Sequence, residues 1–191
     1  MAVVARIEGY AIVSTDGMLA DQDGVMPDAL KVPADQRFFE AGLDRADVMV
    51  HGRRSNEQQR RSPSRKRLIV TRRVGGVAPD PSNSLARLWN PAGASLEDAV
   101  AALGVDDAVI AVIGGTDVFG LFLDDYDAFH LTRGPQVRLP SGRPVFPSVP
   151  RLTPEDVLAE HGLILSEREV LDAAASLTVA HWLRRAREVA D

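Results

Sequence analysis

The fold class follows from one stretch, Val109-Ile110-Ala111-Val112-Ile113-Gly114-Gly115-Thr116-Asp117-Val118-Phe119. Four of its first five residues are β-branched, which predicts a central parallel strand buried on both faces. Two glycines follow, and the residues after them predict a short helix. A strand, a Gly-Gly turn and a helix start allow a ligand's phosphate groups to approach the backbone. A plain strand-to-helix turn fits the same residues, because neither G-x-G-x-x-G nor a P-loop lysine is present.

The amino-acid composition excludes several classes of protein and of functional site. The chain has 191 residues, of which 45% are hydrophobic and 26% charged, as expected of one compact domain spanning residues 1–191. It contains no cysteine, which excludes disulfides and a thiol nucleophile. The net charge of −5 argues against a nucleic-acid partner. With neither a membrane-length apolar run nor a signal peptide, we expect a soluble cytoplasmic protein with no membrane partner.

Strands and helices alternate along the chain, which predicts an α/β protein with a mainly parallel sheet. Residues 18–31 predict a long loop of the kind that often covers a site. The predicted helices begin at Pro33, Ser95, Asp117 and Pro154; Ser95 is the expected N-cap of its helix, and Gly104 ends it. The other predicted strands are 3–14, 46–50, 67–71, 85–89 and 128–132, with loops at 75–84 and 134–154.

The C-terminal part permits two interpretations. Alternation in Leu177-Thr178-Val179-Ala180 favours a strand. The alanines at 173–175 and the Arg-rich end favour helix by propensity.

Several pieces together resemble the dihydrofolate reductase family over residues 3–147. They are Met26-Pro27, Pro33-Ala34-Asp35 with Phe38-Phe39, Val50-His51-Gly52-Arg53-Arg54-Ser55, Leu68-Ile69-Val70-Thr71, Val112-Ile113-Gly114-Gly115 and Leu131-Thr132. The resemblance implies a mixed, mainly parallel sheet of about eight strands with helices on both faces. It also implies an antiparallel C-terminal hairpin, which decides for strands at 163–171 and 177–183.

The resemblance further implies a hydride transfer from NADPH to a pterin-type substrate, with dihydrofolate the first expected. Asp35 matches the buried carboxylate that binds the amino-pyrimidine edge and couples to the proton step, and Thr132 matches the threonine that hydrogen-bonds it. Phe39 and Met26 match residues beside the substrate, and Ile12 lies where it would border the pterin. Arg65 matches the arginine that binds a folate's glutamate carboxylate. Residue chemistry alone leaves other roles open: Asp35 suits the helix dipole, Phe39 a core, and Met26 an ordinary loop.

Cofactor binding is implied in the same way. The basic run at 53–73 breaks an acidic chain, which indicates either an anionic ligand or a solvated basic face. Arg53 matches the arginine that binds the 2′-phosphate of NADPH, with Arg54 and Arg72 able to assist. The remaining residues that we expect around the cofactor are Gly52, Ser55, Thr71, Ile113, Gly114, Gly115, Thr116, Asp117 and Val118.

Three departures from the family pattern keep alternatives open. Asp28 stands where a tryptophan is usual, Phe119 replaces a tyrosine, and Ile12 replaces a small residue. The Ser14–Ala20 stretch also resembles the S-x-D-G-x-x-A opening of riboflavin-pathway reductases, which act on a ribosylaminopyrimidine. A nucleotide-binding module without turnover is the third interpretation. We expect a small-molecule substrate, no metal among the four histidines, and either a monomer or a homodimer.

Overall fold

The computed structural model describes residues 4–55, 61–134 and 136–185. Within them eleven strands alternate with four α-helices. The strands are β1 (Val4–Val13), β2 (Met18–Ala20), β3 (Val48–Gly52), β4 (Arg67–Val70), β5 (Val77–Pro79), β6 (Ala86–Trp89), β7 (Ala108–Val112), β8 (Ala128–Arg133), β9 (Arg143–Pro144), β10 (Leu163–Asp172) and β11 (Leu177–Arg184). The helices are α1 (Pro33–Arg45), α2 (Leu96–Ala101), α3 (Thr116–Leu121) and α4 (Pro154–Glu160).

Nine of these strands form one sheet in the order β10-β11-β8-β1-β7-β3-β4-β6-β5. The pairs from β8 to β6 are parallel, whereas β11 joins β8, β10 joins β11 and β5 joins β6 in antiparallel fashion. The predicted α/β class, the mainly parallel sheet and the C-terminal hairpin are confirmed. The sheet has nine strands rather than about eight.

Strand β7 occupies the centre because its residues can be buried on both faces. Ile110, Ala111 and Val112 are fully buried. Ile110 and Val112 face the core formed with α2, α3 and α4, whereas Ala111 faces α1 together with Tyr10 and Met49. Helices therefore cover both faces, as α/β sheets require.

Helix starts follow local chemistry. The Ser95 hydroxyl accepts a hydrogen bond from the Asp98 backbone N–H at 3.1 Å, so the predicted N-cap of α2 is confirmed. Gly104 follows that helix with a φ of +64°, a conformation that suits glycine. Thr153 and Asp156 form a capping box at the start of α4. From its residue type, Ser55 is also a candidate N-cap for a helix over residues 56–61, of which 56–60 lie outside the described residues.

The predicted loops contain short elements. Residues 18–31 include β2 and a 3-10 helix at Asp28–Leu30, residues 75–84 include β5, and residues 134–154 include β9. Strands β2 and β9 pair with each other outside the main sheet. Two or three residues are too few to display a strand's alternation, so the sequence pattern does not distinguish them from loop.

Strand β10 lies at one end of the sheet, and residues 164–170 are exposed. No described strand pairs with its outer side. Among the described residues, no helix has the length and apolar character needed to cross a membrane.

Candidate active site

Most of the predicted site residues gather at one edge of the sheet, whereas Arg65 precedes β4 and lies at the opposite edge. Strands β1, β3, β4, β7 and β8 are parallel, so their carboxyl ends meet at the same edge. Thr132 lies at the end of β8, and Gly52, Thr71 and Ile113 lie at or directly after the ends of β3, β4 and β7. Ligands of open α/β sheets bind in crevices at this edge.

Asp35 and Thr132 meet across almost a hundred residues of sequence. Asp35, in the first turn of α1, is 8% exposed, and Thr132 is 1% exposed. Burial raises the pKa of the Asp35 carboxyl to about 6, and the hydrogen bond from the Thr132 side chain acts in the opposite direction. The expected contact is therefore present, and it yields a carboxyl group that exchanges its proton near neutral pH.

An apolar cluster packs next to the residues that hold this carboxyl group. Ile12 pairs with Thr132 across β1 and β8, and it packs in a cluster with Leu30 and Ala34. Met26 packs against the same cluster and is half-buried. Phe39 is also half-buried and lies edge-on to Tyr10, with ring centroids 6.2 Å apart. Ile12 thus lies beside Thr132, Met26 packs near Ala34, which directly precedes Asp35, and Phe39 lies one turn further along α1.

The glycine turn after β7 docks against the end of β3. The Gly52 N–H donates to the Gly114 carbonyl at 2.8 Å, and the Ile113 N–H donates to the Val50 carbonyl at 2.9 Å. The Gly114-Gly115 peptide is cis. Among the described residues, a Cβ at Gly115 would find only the Ser55 hydroxyl within 4 Å, at 3.9 Å. The backbone at Gly115 is therefore open to a close-fitting ligand.

Four arginines stand on the loops beside this turn. Arg53 and Arg54 follow β3, Arg72 and Arg73 follow β4, and all four are exposed. The loops are tied together because the Arg53 N–H donates to the Val70 carbonyl at 3.3 Å. Positive charge therefore collects at the rim, while Thr71 beneath it is 8% exposed. Arg60, from the same basic run, lies outside the described residues.

The start of α3 is fixed by polar and apolar contacts. The Thr116 hydroxyl donates to the Pro144 carbonyl. Asp117 is exposed, so its carboxylate is solvated, whereas Val118 is buried. Phe119 packs edge-on against Phe129 with ring centroids 5.5 Å apart and is 1% exposed. The residue that replaces the family tyrosine is therefore part of the core.

Arg65 is held by carboxylates of α1. Its Nη2 donates to Asp44 Oδ1 at 2.6 Å and to Glu40 Oε2 at 3.3 Å. The prediction for Arg65 considered neither carboxylate. The sequence does place Glu40 and Asp44 at an i, i+4 spacing on one helix face, opposite a basic run, which is a recognisable indication of ion pairing.

A second polar cluster lies beneath α1 and was not predicted. His130 Nδ1 and His181 Nδ1 are 2.8 Å apart on paired strands, and His181 Nε2 lies 3.3 Å from Glu169. The Tyr10 hydroxyl donates to Glu8 at 2.5 Å, and hydrogen bonding from His130, Tyr10 and Arg6 keeps the pKa of Glu8 low despite its burial. The cluster combines residues of β1, β8, β10 and β11, so spacing along the chain does not indicate it.

Two loop residues have structural partners. Asp16 accepts hydrogen bonds from the Ser14 hydroxyl at 2.6 Å and from the Leu139 N–H at 3.0 Å, which ties the end of β1 to the 136–142 loop. Asp28 is exposed and paired with Lys31 at 2.8 Å. Within the described ranges, no group of three or more His, Asp or Glu side chains is arranged to hold a metal ion.

No protein-family model matches the chain, and no curated protein matches it in sequence. Solved structures do match. A putative riboflavin biosynthesis protein from Shewanella sp. PV-4 is 22% identical with a TM-score of 0.64, and the match covers 94% of this chain and 99% of that one. Dihydrofolate reductase from Enterococcus faecalis, complexed with NADP(H) and RAB-propyl, is 16% identical with a TM-score of 0.63, over 97% and 99% of the two chains. This chain has the dihydrofolate reductase-like fold.

A longer relative shares the same fold. The diaminohydroxyphosphoribosylaminopyrimidine deaminase/5-amino-6-(5-phosphoribosylamino)uracil reductase of Thermotoga maritima is 18% identical with a TM-score of 0.61. The match covers 95% of this chain and 57% of that chain. The resemblance recognised in the sequence is thus confirmed at the level of the dihydrofolate reductase-like fold, and the roles of the individual residues remain predictions.

Proposed function

We propose that the chain is an NADPH-dependent reductase of a pterin-type ring, with dihydrofolate as the first substrate to test. The single observation that carries this proposal is the buried Asp35–Thr132 pair, at the edge where ligands of this fold bind. A carboxyl group that is buried, hydrogen-bonded and perturbed in pKa is a strong candidate for a functional group.

Asp35 suits the amino-pyrimidinone edge of a pterin. That edge presents two parallel N–H groups, which one carboxylate accepts as a fork. Thr132 positions the carboxyl group by donating to it. With a pKa of about 6, Asp35 is protonated in part of the molecules near neutral pH. It can therefore take part in protonating the ring nitrogen next to the carbon that is reduced.

The glycine turn and the arginine rim suit a dinucleotide phosphate. The open backbone at Gly115 admits a close-fitting group, and Gly52 and Ser55 border the same space. Arg53, Arg54 and Arg72 would bind the 2′-phosphate, since a guanidinium fork matches phosphate geometry. NADPH, when bound, supplies the hydride. Met26 and Ile12 would exclude water from the reacting atoms.

The decisive experiment follows NADPH absorbance with 7,8-dihydrofolate for the wild type and for Asp35→Asn. We expect wild-type turnover and a loss in the variant of about 100-fold or more, typical of removing a general acid. Asp106→Asn, which removes an exposed carboxylate before β7 at the opposite edge of the sheet, is the control and keeps its activity. Wild-type binding of NADPH without oxidation by any pterin would contradict the proposal and favour a binding module without turnover.

A second candidate function is the reduction of a ribosylaminopyrimidine, the activity for which the Thermotoga maritima protein of the same fold is named. The pairing of Arg65 with Glu40 and Asp44 favours it over folate, because this arginine is already engaged. The uracil ring of that substrate has a carbonyl at C2, where a pterin has its amino group, so it does not present the same pair of N–H donors to Asp35, which is why we rank it second. If 5-amino-6-ribosylaminouracil 5′-phosphate supports NADPH oxidation and none of the pterins tested does, the ribosylaminopyrimidine becomes the first candidate substrate.

A further inference from the structure

A row of polar side chains crosses four neighbouring strands on the face of the sheet that α1 covers. His130 on β8 lies directly opposite Tyr10 on β1 and His181 on β11. His130 Nε2 is 3.6 Å from Glu8 Oε2. The Nδ1 atoms of the two histidines are 2.8 Å apart, and His181 Nε2 is 3.3 Å from Glu169 Oε2. The row therefore runs from β1 through β8 and β11 to β10 at the end of the sheet.

The two histidines are largely shielded from solvent. Each imidazole side chain is 12% exposed. From α1, the Phe38 ring covers both, with its centroid 5.8 Å from that of His130 and 5.7 Å from that of His181. Among the described residues, the further charged or titratable groups that border the row are Arg6 and Tyr10 on β1, Glu167 on β10, and Asp35 and Arg45 on α1.

The spacing of the four ring nitrogens determines how many protons the pair holds. Two nitrogens 2.8 Å apart need one hydrogen between them, because two N–H groups would collide there and two lone pairs would repel each other. Each outer Nε2 faces a carboxylate, which only accepts hydrogen bonds, so each outer nitrogen carries an N–H. Three protons on four nitrogens give the pair one positive charge, which lies between Glu8 and Glu169.

We propose that His130 and His181 share one proton and form a pH-sensitive clamp that holds the C-terminal hairpin against β8 and β1. A second added proton would set two N–H groups face to face, whereas loss of the shared charge would turn a ring lone pair towards a carboxylate. Because Phe38 rests on both rings and follows Asp35 by three residues, either change disturbs the surface on which α1 packs. The inference goes beyond the proposed function and does not depend on it.

A shared proton gives the stability of the protein a distinctive dependence on pH. In the unfolded chain each histidine titrates near its ordinary pKa of about 6.5. Below that pH the unfolded histidines bind two protons and the folded pair binds one, so stability falls as pH drops. Above it the unfolded histidines bind none while the folded pair still binds one, so stability falls as pH rises. The contribution of the pair is therefore greatest near the ordinary histidine pKa.

Urea unfolding at a series of pH values from about 5.5 to 8 compares the wild type with His130→Gln/His181→Gln. The ratio of the two unfolding equilibrium constants isolates the pair, since the other titratable groups are common to both proteins. We expect this ratio to reach its extreme near pH ~6.5 and to change by up to about tenfold per pH unit on either side. His161→Gln, which removes a histidine paired with the exposed Asp124, is the control and shows no such extreme.

Two other profiles would overturn the proposal. Two independent ion pairs, with Glu8 and with Glu169, bind two protons in acid, so the ratio would level off below the ordinary histidine pKa. A pair buried without charge binds no proton, so the ratio would level off above it. If the double variant does not fold, nitrogen-15 NMR of the wild type decides. At neutral pH we expect a proton on both Nε2 atoms and one shared by the Nδ1 atoms, and an unprotonated Nε2 on either ring refutes the clamp.

Discussion

The burial that raises the pKa of Asp35 to about 6 also destabilises the folded protein at neutral pH. The ordinary carboxyl pKa is 3.8, so folding stability falls as pH rises from about 4 to 6 and the native carboxyl ionises. A gap of about two pKa units corresponds to about 3 kcal/mol when complete. A loss of folding stability of this kind is expected at functional sites, where a charged group is buried although its burial does not stabilise the fold.

Asp35→Asn should therefore stabilise the ligand-free protein. We expect its free energy of unfolding at pH 7 to rise by about 2 kcal/mol, because a neutral amide replaces a buried charge. At pH 4 the two proteins should differ little, since both side chains are then neutral. Urea unfolding at both pH values measures this. Asp28→Asn, whose carboxylate is exposed, should show no such pH-dependent gain, and a destabilised Asp35→Asn at pH 7 would contradict the argument.

Among the individual residues, the sequence identified Asp35 and Thr132 and the structure brings them together. It did not identify the partners of Arg65, because a family match assigns one role to one residue and ignores what a neighbouring helix offers. The i, i+4 spacing of Glu40 and Asp44 indicates ion pairing in general, but only the placement of α1 beside Arg65 identifies their partner. The contact between His130 and His181 was not predicted either, because it depends on the register of β8 against β11.

At the scale of elements, α1 holds Asp35 in place through a close approach to β1. A Cβ at Gly42 would lie 2.4 Å from the Tyr10 ring, so only glycine fits there. Tyr10 is itself 3% exposed and donates to Glu8, which leaves its ring little room to move.

Gly42→Ala should consequently destabilise the protein, although alanine favours helix by about 1 kcal/mol. Overpacking against a fixed ring costs about 1–3 kcal/mol and displaces α1, so we also expect a lower kcat/KM with dihydrofolate. Thermal unfolding and NADPH oxidation measure the two effects. Gly75→Ala is the control, because a Cβ there meets no atom of the described residues within 4 Å. Equal stability of the two variants would refute the packing argument.

Elements were predictable to the extent that they were long. Helices α1, α2 and α4 carry an N-cap residue or a first-turn proline, and the buried strands β3 and β7 carry β-branched residues. Strands β2, β5 and β9 are two or three residues long and exist through tertiary pairing. The hairpin at 163–184 was predicted only through the family resemblance, because the helix propensity of alanine favoured a helix there. Residues 186–190 lie outside the described part of the chain.

At the scale of the molecule, one sheet connects the C-terminal hairpin, β10 and β11, to strands β6 and β5 at its other end. Trp182 on β11 and Trp89 on β6 are both buried, and five strands separate theirs in the sheet. The core includes both tryptophans in a single apolar cluster. Such continuity favours cooperative unfolding of the whole sheet.

The two tryptophans, the only ones in the chain, provide the test. In Trp89→Phe the fluorescence reports the hairpin, and in Trp182→Phe it reports the other half of the sheet. We expect the fluorescence and far-UV circular dichroism midpoints to coincide within each variant during urea unfolding. An earlier fluorescence midpoint in Trp89→Phe alone would mean that the hairpin separates first.

Strand β10 leaves one side of its backbone without a partner among the described strands, and Ile164, Leu165 and Val170 are exposed along it. Such an edge is a template for unwanted growth by strand addition. Glu167, Arg168 and Glu169 interrupt the apolar residues with full charges at the middle of the strand. They act as gatekeepers against aggregation, so the colloidal behaviour of concentrated samples depends on three residues remote from the chemistry.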